Sequence, residues 1–355
     1  MPVRVWDAGR EEEAGWAEGP SGLLKNASAL SVEKDRPTRE VLPASSKNVR
    51  SAEPRWYGRR QDRSMNIVIA SGKGGTGKTT IAVNLAYFLA RSGQVVQYLD
   101  CDVEEPNGHL FLKPRIESQV SATVMVPTIV EKKCTFCGEC STKCQYNALV
   151  SLPGIPPLVF PGLCHGCGLC IHVCPENAIA EDKREIGRLE KGVGLENISC
   201  VHGVLNVGEA MAVPLIRKVK DCGLDNCVHI IDAPPGTACP LVATIGDADL
   251  AIMVTEPTPF GLHDLSIAVS VAEKLSIPLG LVINRDTNHF PPLERYIEKH
   301  SLDVFTRIPE DRRIAEHYSK GDIIISALPE YTSRIHDLVS SIERVSGTTI
   351  IGGAA

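Results

Sequence analysis

Apolar residues in this chain fall into short continuous blocks separated by stretches of helical periodicity. Ile67 to Ala70 is one such block and reads as a short buried strand. A glycine-rich turn follows, and then Ile81, Leu85, Phe88 and Leu89 recur at helical spacing until Gly93 stops the pattern. Val95 to Asp100 predicts a second strand, and further strands are predicted at 228–232, 250–255, 279–284 and near 304–308. Glu209 to Lys220 is amphipathic, and a last helix is predicted around Ser333–Val345, with Ile335, Leu338, Val339, Ile342 and Val345 on one face. Strands alternating with helices predict an α/β protein, a mostly parallel doubly wound sheet with helices on both faces.

Residues 1–64 do not share this pattern. They hold all three tryptophans (Trp6, Trp16 and Trp56), a Glu11-Glu12-Glu13 run and a basic stretch from Arg55 to Arg63, without sustained apolar periodicity. The composition predicts disorder. Met65 stands directly before the first strand, so two expectations stay open: a start at Met65, or a disordered regulatory extension. The early acidic residues argue against a mitochondrial transit peptide.

The turn after the first strand reads Gly72-Lys73-Gly74-Gly75-Thr76-Gly77-Lys78-Thr79-Thr80, a G-x4-G-K-T phosphate loop. Its glycines allow backbone N–H groups to point inward at phosphate oxygens, and the following helix adds the positive end of its dipole. Lys78 is expected along the β- and γ-phosphates of ATP, and the Thr79 hydroxyl on Mg²⁺.

Thirteen cysteines supply the second chemistry. Cys134, Cys137, Cys140 and Cys144 are spaced C-x2-C-x2-C-x3-C, and Cys164, Cys167, Cys170 and Cys174 repeat that spacing, with Pro175 closing the second run. The pattern is that of bacterial ferredoxins with two [4Fe–4S] clusters, in which the fourth thiolate of each run crosses to the other cluster. The expected ligand sets are Cys134, Cys137, Cys140 and Cys174, and Cys164, Cys167, Cys170 and Cys144. Structural zinc more often takes two separated C-x2-C pairs. Gln145 stands where the first run would usually carry a proline, which weakens a turn signal and spares the ligands.

Lys73, directly after the first glycine, gives K-G-G-T-G-K-T and resembles the deviant phosphate loop of the MinD/ParA family, which also includes the nitrogenase iron protein and Mrp-type iron–sulfur carriers. The resemblance implies a P-loop NTPase fold of the SIMIBI type. It also implies that Lys73 reaches the phosphates of a facing subunit in an ATP-dependent homodimer; the motif alone leaves a solvated loop lysine as the alternative. Asp100-Cys101-Asp102 resembles the first switch, with Asp102 positioning the attacking water. Asp232-Ala233-Pro234-Pro235-Gly236-Thr237 resembles the second, with Asp232 on Mg²⁺ through water and Gly236 near the γ-phosphate. Asn284 resembles the adenine-reading asparagine, its alternative being an ordinary turn residue. Thr255 to Thr258 and Ile308 to Asp311 also look familial, without an assignable role. From Met65 onward the chain is similar to MinD-superfamily ATPases with an inserted ferredoxin domain of α+β type. The expected organisation is ATPase over 65–126, ferredoxin insert over 127–183 and ATPase again over 184–355.

Five cysteines lie outside the quartets: Cys101, Cys200, Cys222, Cys227 and Cys239. They read first as small buried hydrophobes. Cys239 sits seven residues after Asp232, a spacing like that of the bridging cluster ligand in the nitrogenase iron protein, with Cys200 as a possible partner. Cys222-x4-Cys227 departs from the C-x-x-C of Mrp-type scaffolds.

A net charge of −6 gives no electrostatic case for nucleic acid or an anionic membrane. No apolar run has spanning length and no secretory signal is present, so the cysteine content points to a reducing, cytoplasmic setting. MinD ends in a membrane-targeting amphipathic helix. Here the last helix carries Asp337 and Glu343, and the tail from Gly347 to Ala355 has no basic residue, so docking onto the core is the expectation. Together these features predict an ATPase whose nucleotide state gates electron delivery from two clusters to a redox partner. The alternatives are a cluster carrier for a client metalloprotein and a spatial-organising ATPase.

Overall fold

A computed structural model of the chain describes residues 64–287 and 290–351. The expectations for residues 1–63, disorder or a later start, lie outside the described residues.

In chain order the elements are β1 (Met65–Ala70), α1 (Lys78–Arg91), β2 (Val96–Asp100), α2 (Gly108–Leu112), β3 (Arg115–Ile129), α3 (Glu139–Lys143), β4 (Leu149–Val150), β5 (Leu158–Val159), α4 (Leu169–His172), β6 (Ile179–Val193) and β7 (Ser199–Leu205). They continue with α5 (Val213–Lys220), β8 (Val228–Asp232), α6 (Cys239–Ile245), β9 (Leu250–Thr255), α7 (Pro259–Lys274), β10 (Leu279–Asp286), α8 (Pro291–Lys299), β11 (Val304–Pro309), α9 (Arg312–Tyr318), α10 (Ile324–Ala327) and α11 (Thr332–Ser346). Nine strands form one sheet in the order β11-β10-β9-β1-β8-β2-β7-β6-β3, and β4 pairs with β5 in a separate ribbon.

From β11 to β7 every pairing is parallel. Helices on both faces bury these strands, which is why every residue of β2, β8 and β9 is buried, the polar Gln97, Asp100, His229, Asp232 and Thr255 included. One face of the sheet buries Ile81, Leu85 and Leu89 of α1 together with Ile335, Leu338, Val339 and Ile342 of α11. The last helix is therefore docked through its apolar face. On the opposite face, Leu215, Ile216 and Val219 of α5 pack with Leu265, Ala268 and Val269 of α7. No described helix is long and apolar enough to cross a membrane.

Beyond β7 the sheet changes character: β6 and β3 add antiparallel. These two strands are 15 residues each, a ribbon of about 50 Å at the usual rise per residue. The expected insert limits at 127 and 183 fall inside β3 and β6. Arg115 to Ser121 is exposed throughout, and a polar strand with no buried face leaves no hydrophobic period to read. The ribbon belongs to the nine-stranded sheet at its base and carries the cysteine-rich segment at its tip.

That segment is an internal repeat, its second cysteine run following the first by 30 residues. Each half begins with a 3-10 turn, Glu131–Lys133 or Pro161–Leu163, and continues into α3 or α4 after a left-handed glycine, Gly138 or Gly168. Asn147 and Asn177 take the left-handed conformation at matching positions. Directly after them, the Ala148 and Ala178 N–H groups donate to Cys144 Sγ (3.4 Å) and Cys174 Sγ (3.2 Å).

Candidate nucleotide site and cysteine-lined cavities

The phosphate loop joins β1 to α1 at the carboxyl end of the sheet, where a doubly wound fold places its ligands. Gly77 has φ 96°, and a Cβ there would come within 2.3 Å of Asn284 Nδ2, so the position admits no side chain. The Asn284 amide donates to the Thr76 carbonyl at 2.8 Å, bracing the loop from β10. Asn284 also lines a cavity with Thr80, Ile308 and Ile314 beside the loop. Lys78 is 6% exposed and has no ion-pair partner among the described residues. A buried ammonium beside loop amides is a built anion site. The Thr76 hydroxyl is likewise buried without a partner.

Two carboxylates face each other across this site. Asp100 and Asp232 are register partners at the ends of the adjacent parallel strands β2 and β8, and both are 1% exposed. Burial holds the Asp100 carboxyl well above its ordinary range, reinforced by the neighbouring Asp232 charge. Burial also raises Asp232, while Lys78 and the hydroxyls of Thr79 and Tyr98 oppose the rise. Thr79 Oγ1 donates to Asp232 Oδ2 at 2.6 Å, and Tyr98 Oη donates to the same oxygen at 2.9 Å. Asp232 Oδ1 is buried with no partner among the described residues. A hydroxyl, an orphaned carboxylate oxygen and a repelling pair of acids suit a hydrated divalent cation such as Mg²⁺. Asp232 and Thr79 would hold it; when bound, it supplies charge neutralisation for phosphate oxygens.

Asp100 also shapes the segment that follows β2, accepting from the Asp102 N–H (3.1 Å) and the Gly108 N–H (3.0 Å). It thereby presents Asp102 toward Lys78. Burial pushes the Asp102 carboxyl up to about 7, with Lys78 pulling the other way. Gly236 lies in the loop after β8 with φ 96°.

Lys73 is engaged within its own chain. Its ammonium lies 3.1 Å from Glu256 Oε2, and Arg285 reaches Glu256 Oε1 at 2.7 Å. The sequence alone assigns no role to Glu256, Arg285 or Tyr98. A Tyr within a strand that has every residue buried is a usable signal, because a buried phenol needs a partner.

The ribbon tip holds two cavities. One is lined by Cys134, Cys137, Cys140 and Cys174, the other by Cys144, Cys164, Cys167 and Cys170. The fold thus brings the crossed sets together, the fourth cysteine of each run joining the first three of the other. Met125 of β3 lines the second cavity and Ile129 the first. At the ribbon base, His109 of α2 stacks on His202 of β7, with ring centroids 5.1 Å apart, and His202 Nε2 lies 3.0 Å from Glu190 of β6.

Cys200 is buried in the core on β7, its thiol on the Ile198 carbonyl. Burial pushes that thiol up to about 12. Cys239 is exposed at the start of α6.

Residues 67–324 match the CobQ/CobB/MinD/ParA nucleotide binding domain. An uncharacterized protein of Methanocaldococcus jannaschii is 31% identical over 297 residues, covering 81% of this chain and 98% of its own. An iron-sulfur cluster carrier protein of Pyrococcus abyssi is 23% identical over 301 residues, covering 79% and 83%. Among solved structures, the septum site-determining protein MinD complexed with Mg-ADP from Pyrococcus horikoshii OT3 shares the fold at TM-score 0.50 and 20% identity, over 80% of this chain and 98% of that one.

Proposed function

The chain belongs to the CobQ/CobB/MinD/ParA nucleotide-binding family, and from that premise we propose that it is an ATPase whose nucleotide state gates electron transfer through two [4Fe–4S] clusters held at the ribbon tip. Among the described residues, no three His, Cys, Asp or Glu side chains group closely enough for a single metal ion. Each cysteine quartet instead surrounds a cavity, which suits a cube of several irons better than one zinc. The Cys144 and Cys174 sulfurs each accept a backbone N–H, the kind of hydrogen bond that stabilises a charged thiolate. When bound, such clusters supply one-electron exchange.

One observation carries the gating reading: the ribbon is hydrogen-bonded into the same sheet as the nucleotide loops. β7 pairs with β2, whose end carries Asp100, and also with β6 of the ribbon. Glu190, His202 and His109 connect the ribbon base to the helix that follows Asp102. In this reading Lys78 binds the β- and γ-phosphates, and Asp102 orients the attacking water through its ionised form. Lys73 leaves Glu256 to meet the nucleotide of a second copy, closing an ATP-dependent homodimer. A displacement of the first switch then changes the set of the ribbon and the presentation of its tip to a redox partner.

The test compares ATP-bound Asp102→Ala, which should bind and hydrolyse slowly, with ADP-bound wild type. The gating reading expects different midpoint potentials, or different rates of cluster loss to a chelator, in the two states. Equal values would leave the clusters as passive cargo. Lys78→Ala should abolish tight ATP binding and erase the difference. The iron–sulfur cluster carrier relatives give a second reading, a carrier for a client metalloprotein. Transfer of iron and sulfide to an apo-protein, without net electron transfer, would favour it.

A further inference from the structure

We propose that Tyr98 is a positioning residue for the nucleotide's divalent cation. Its hydroxyl determines which oxygen of Asp232 is left for the hydrated cation, and its ring ties that choice to the helix after the first switch. The inference rests on the reading of Asp232 as the cation-side carboxylate.

Tyr98 is 2% exposed on β2, two residues before Asp100. Both donors available to Asp232 converge on one oxygen: Thr79 and Tyr98 donate to Oδ2, while Oδ1 is buried and unpartnered. A carboxylate with a single donor could rotate and exchange its oxygens. Two donors from different elements, Thr79 of α1 and Tyr98 of β2, remove that freedom on one oxygen, leaving Oδ1 directed to the place where cation-bound water would sit. Thr79 must also turn a lone pair to the cation, so Tyr98 is the donor with no second duty.

The ring makes the second connection. A Cβ on Gly108, the first residue of α2, would come within 2.3 Å of Tyr98 Cε1 and 2.5 Å of its hydroxyl oxygen. The helix start therefore rests directly on the phenol and excludes any side chain there. The Gly108 N–H also donates to Asp100 at 3.0 Å. Motion of the first switch along this helix start would press on Tyr98 and, through its hydroxyl, on Asp232.

A tyrosine serving only to fill the core would make the same ring contacts, so the discriminating variant is Tyr98→Phe, which removes the hydroxyl alone. The measurement is the affinity of full-length protein for a fluorescent ADP analogue, titrated with Mg²⁺, alongside thermal melting without nucleotide. The expected result is a five- to tenfold rise (on the order of one hydrogen bond to a carboxylate) in the Mg²⁺ needed for half-maximal binding. Affinity in the absence of Mg²⁺ should be unchanged. Gly108→Ala, which must displace the phenol, should shift the Mg²⁺ curve in the same direction. An unchanged Mg²⁺ curve in Tyr98→Phe, with or without a lower melting temperature, would overturn the proposal and return Tyr98 to the core. If wild-type binding itself ignores Mg²⁺, the assignment of Asp232 fails, and the inference with it. The two failures are read from different samples.

Discussion

The phosphate loop and the cysteine-lined tip sit on one sheet, yet they are built on opposite terms. The loop is held by a completed scaffold: Ile67 and Ile69 of β1 beneath it, Ile81 and Leu85 of α1 behind it, and the Asn284 amide against its backbone. Its polar groups are preformed and strained electrostatically, with two buried acids side by side and a buried ammonium whose charge acts on Asp232 and Asp102. The tip has almost no core. One of its clusters of buried residues is Cys140, Leu149, Cys170 and Ile179; the other is Val126, Ala148 and Cys164. Large apolar side chains such as Phe136, Ile155, Phe160 and Leu163 remain exposed there. A segment this small cannot bury enough apolar surface to fold alone. The cysteines are themselves a large part of what it buries, so whatever they hold becomes part of its fold. The lesson is that ligand loss should leave the first region standing and unmake the second.

The largest expected effect breaks that contrast directly. Cys170→Ser removes a buried thiol that belongs to both a cavity and a core. Limited proteolysis should then cut within 130–178 on the order of tenfold faster or more, with iron content falling and the sheet's melting transition retained. Loss of the whole fold would mean that the two regions are one cooperative unit.

A smaller effect sharpens the electrostatic half of the comparison. Asp102 lies at about 7 in the folded protein, against an ordinary value of 3.8. The folded state therefore binds its proton more tightly, and the stability this supplies is complete below pH 4 and lost as pH rises through 7. Asp102→Asn should match wild type near pH 4 and exceed it by about 1–3 kcal/mol at pH 8, without nucleotide or Mg²⁺. Chemical denaturation across that range measures it. A difference independent of pH would show that Asp102 carries no such penalty.

The smallest effect concerns the lysine that the loop keeps at home. Glu256→Gln weakens the Lys73 contact at a position where Lys73 is 34% exposed, so screening limits the gain. ATP-dependent association should occur at about two- to fivefold lower protein concentration, read by sedimentation. No change would indicate that Lys73 leaves Glu256 without cost, or has no partner molecule to meet.

Much of this molecule is legible in its sequence because the relevant physics is local. The buried parallel strands announce themselves as apolar blocks, and β8 and β9 fall at 228–232 and 250–255 as the pattern predicts. The glycines of the phosphate loop and the doubled cysteine spacing are likewise local constraints, imposed by backbone conformation and ligand reach. The extent of β3 and β6 is not legible because Arg115 to Ser121 is exposed throughout and the buried alternation at Ala122, Val124 and Val126 is short, so the length of the ribbon depends on the partner strand rather than on its own residues. The same holds within the nucleotide site. Lys73, Lys78 and Asp232 carry their chemistry in their types and spacing. That Glu256 holds Lys73, that Tyr98 shares an oxygen of Asp232 with Thr79, and that Asp100 lies beside Asp232 are matters of strand order. The placement of β2 next to β8 joins residues more than a hundred positions apart. A linear pattern records which groups a chain owns; only the packed sheet decides which of them must share a charge, a proton or an oxygen.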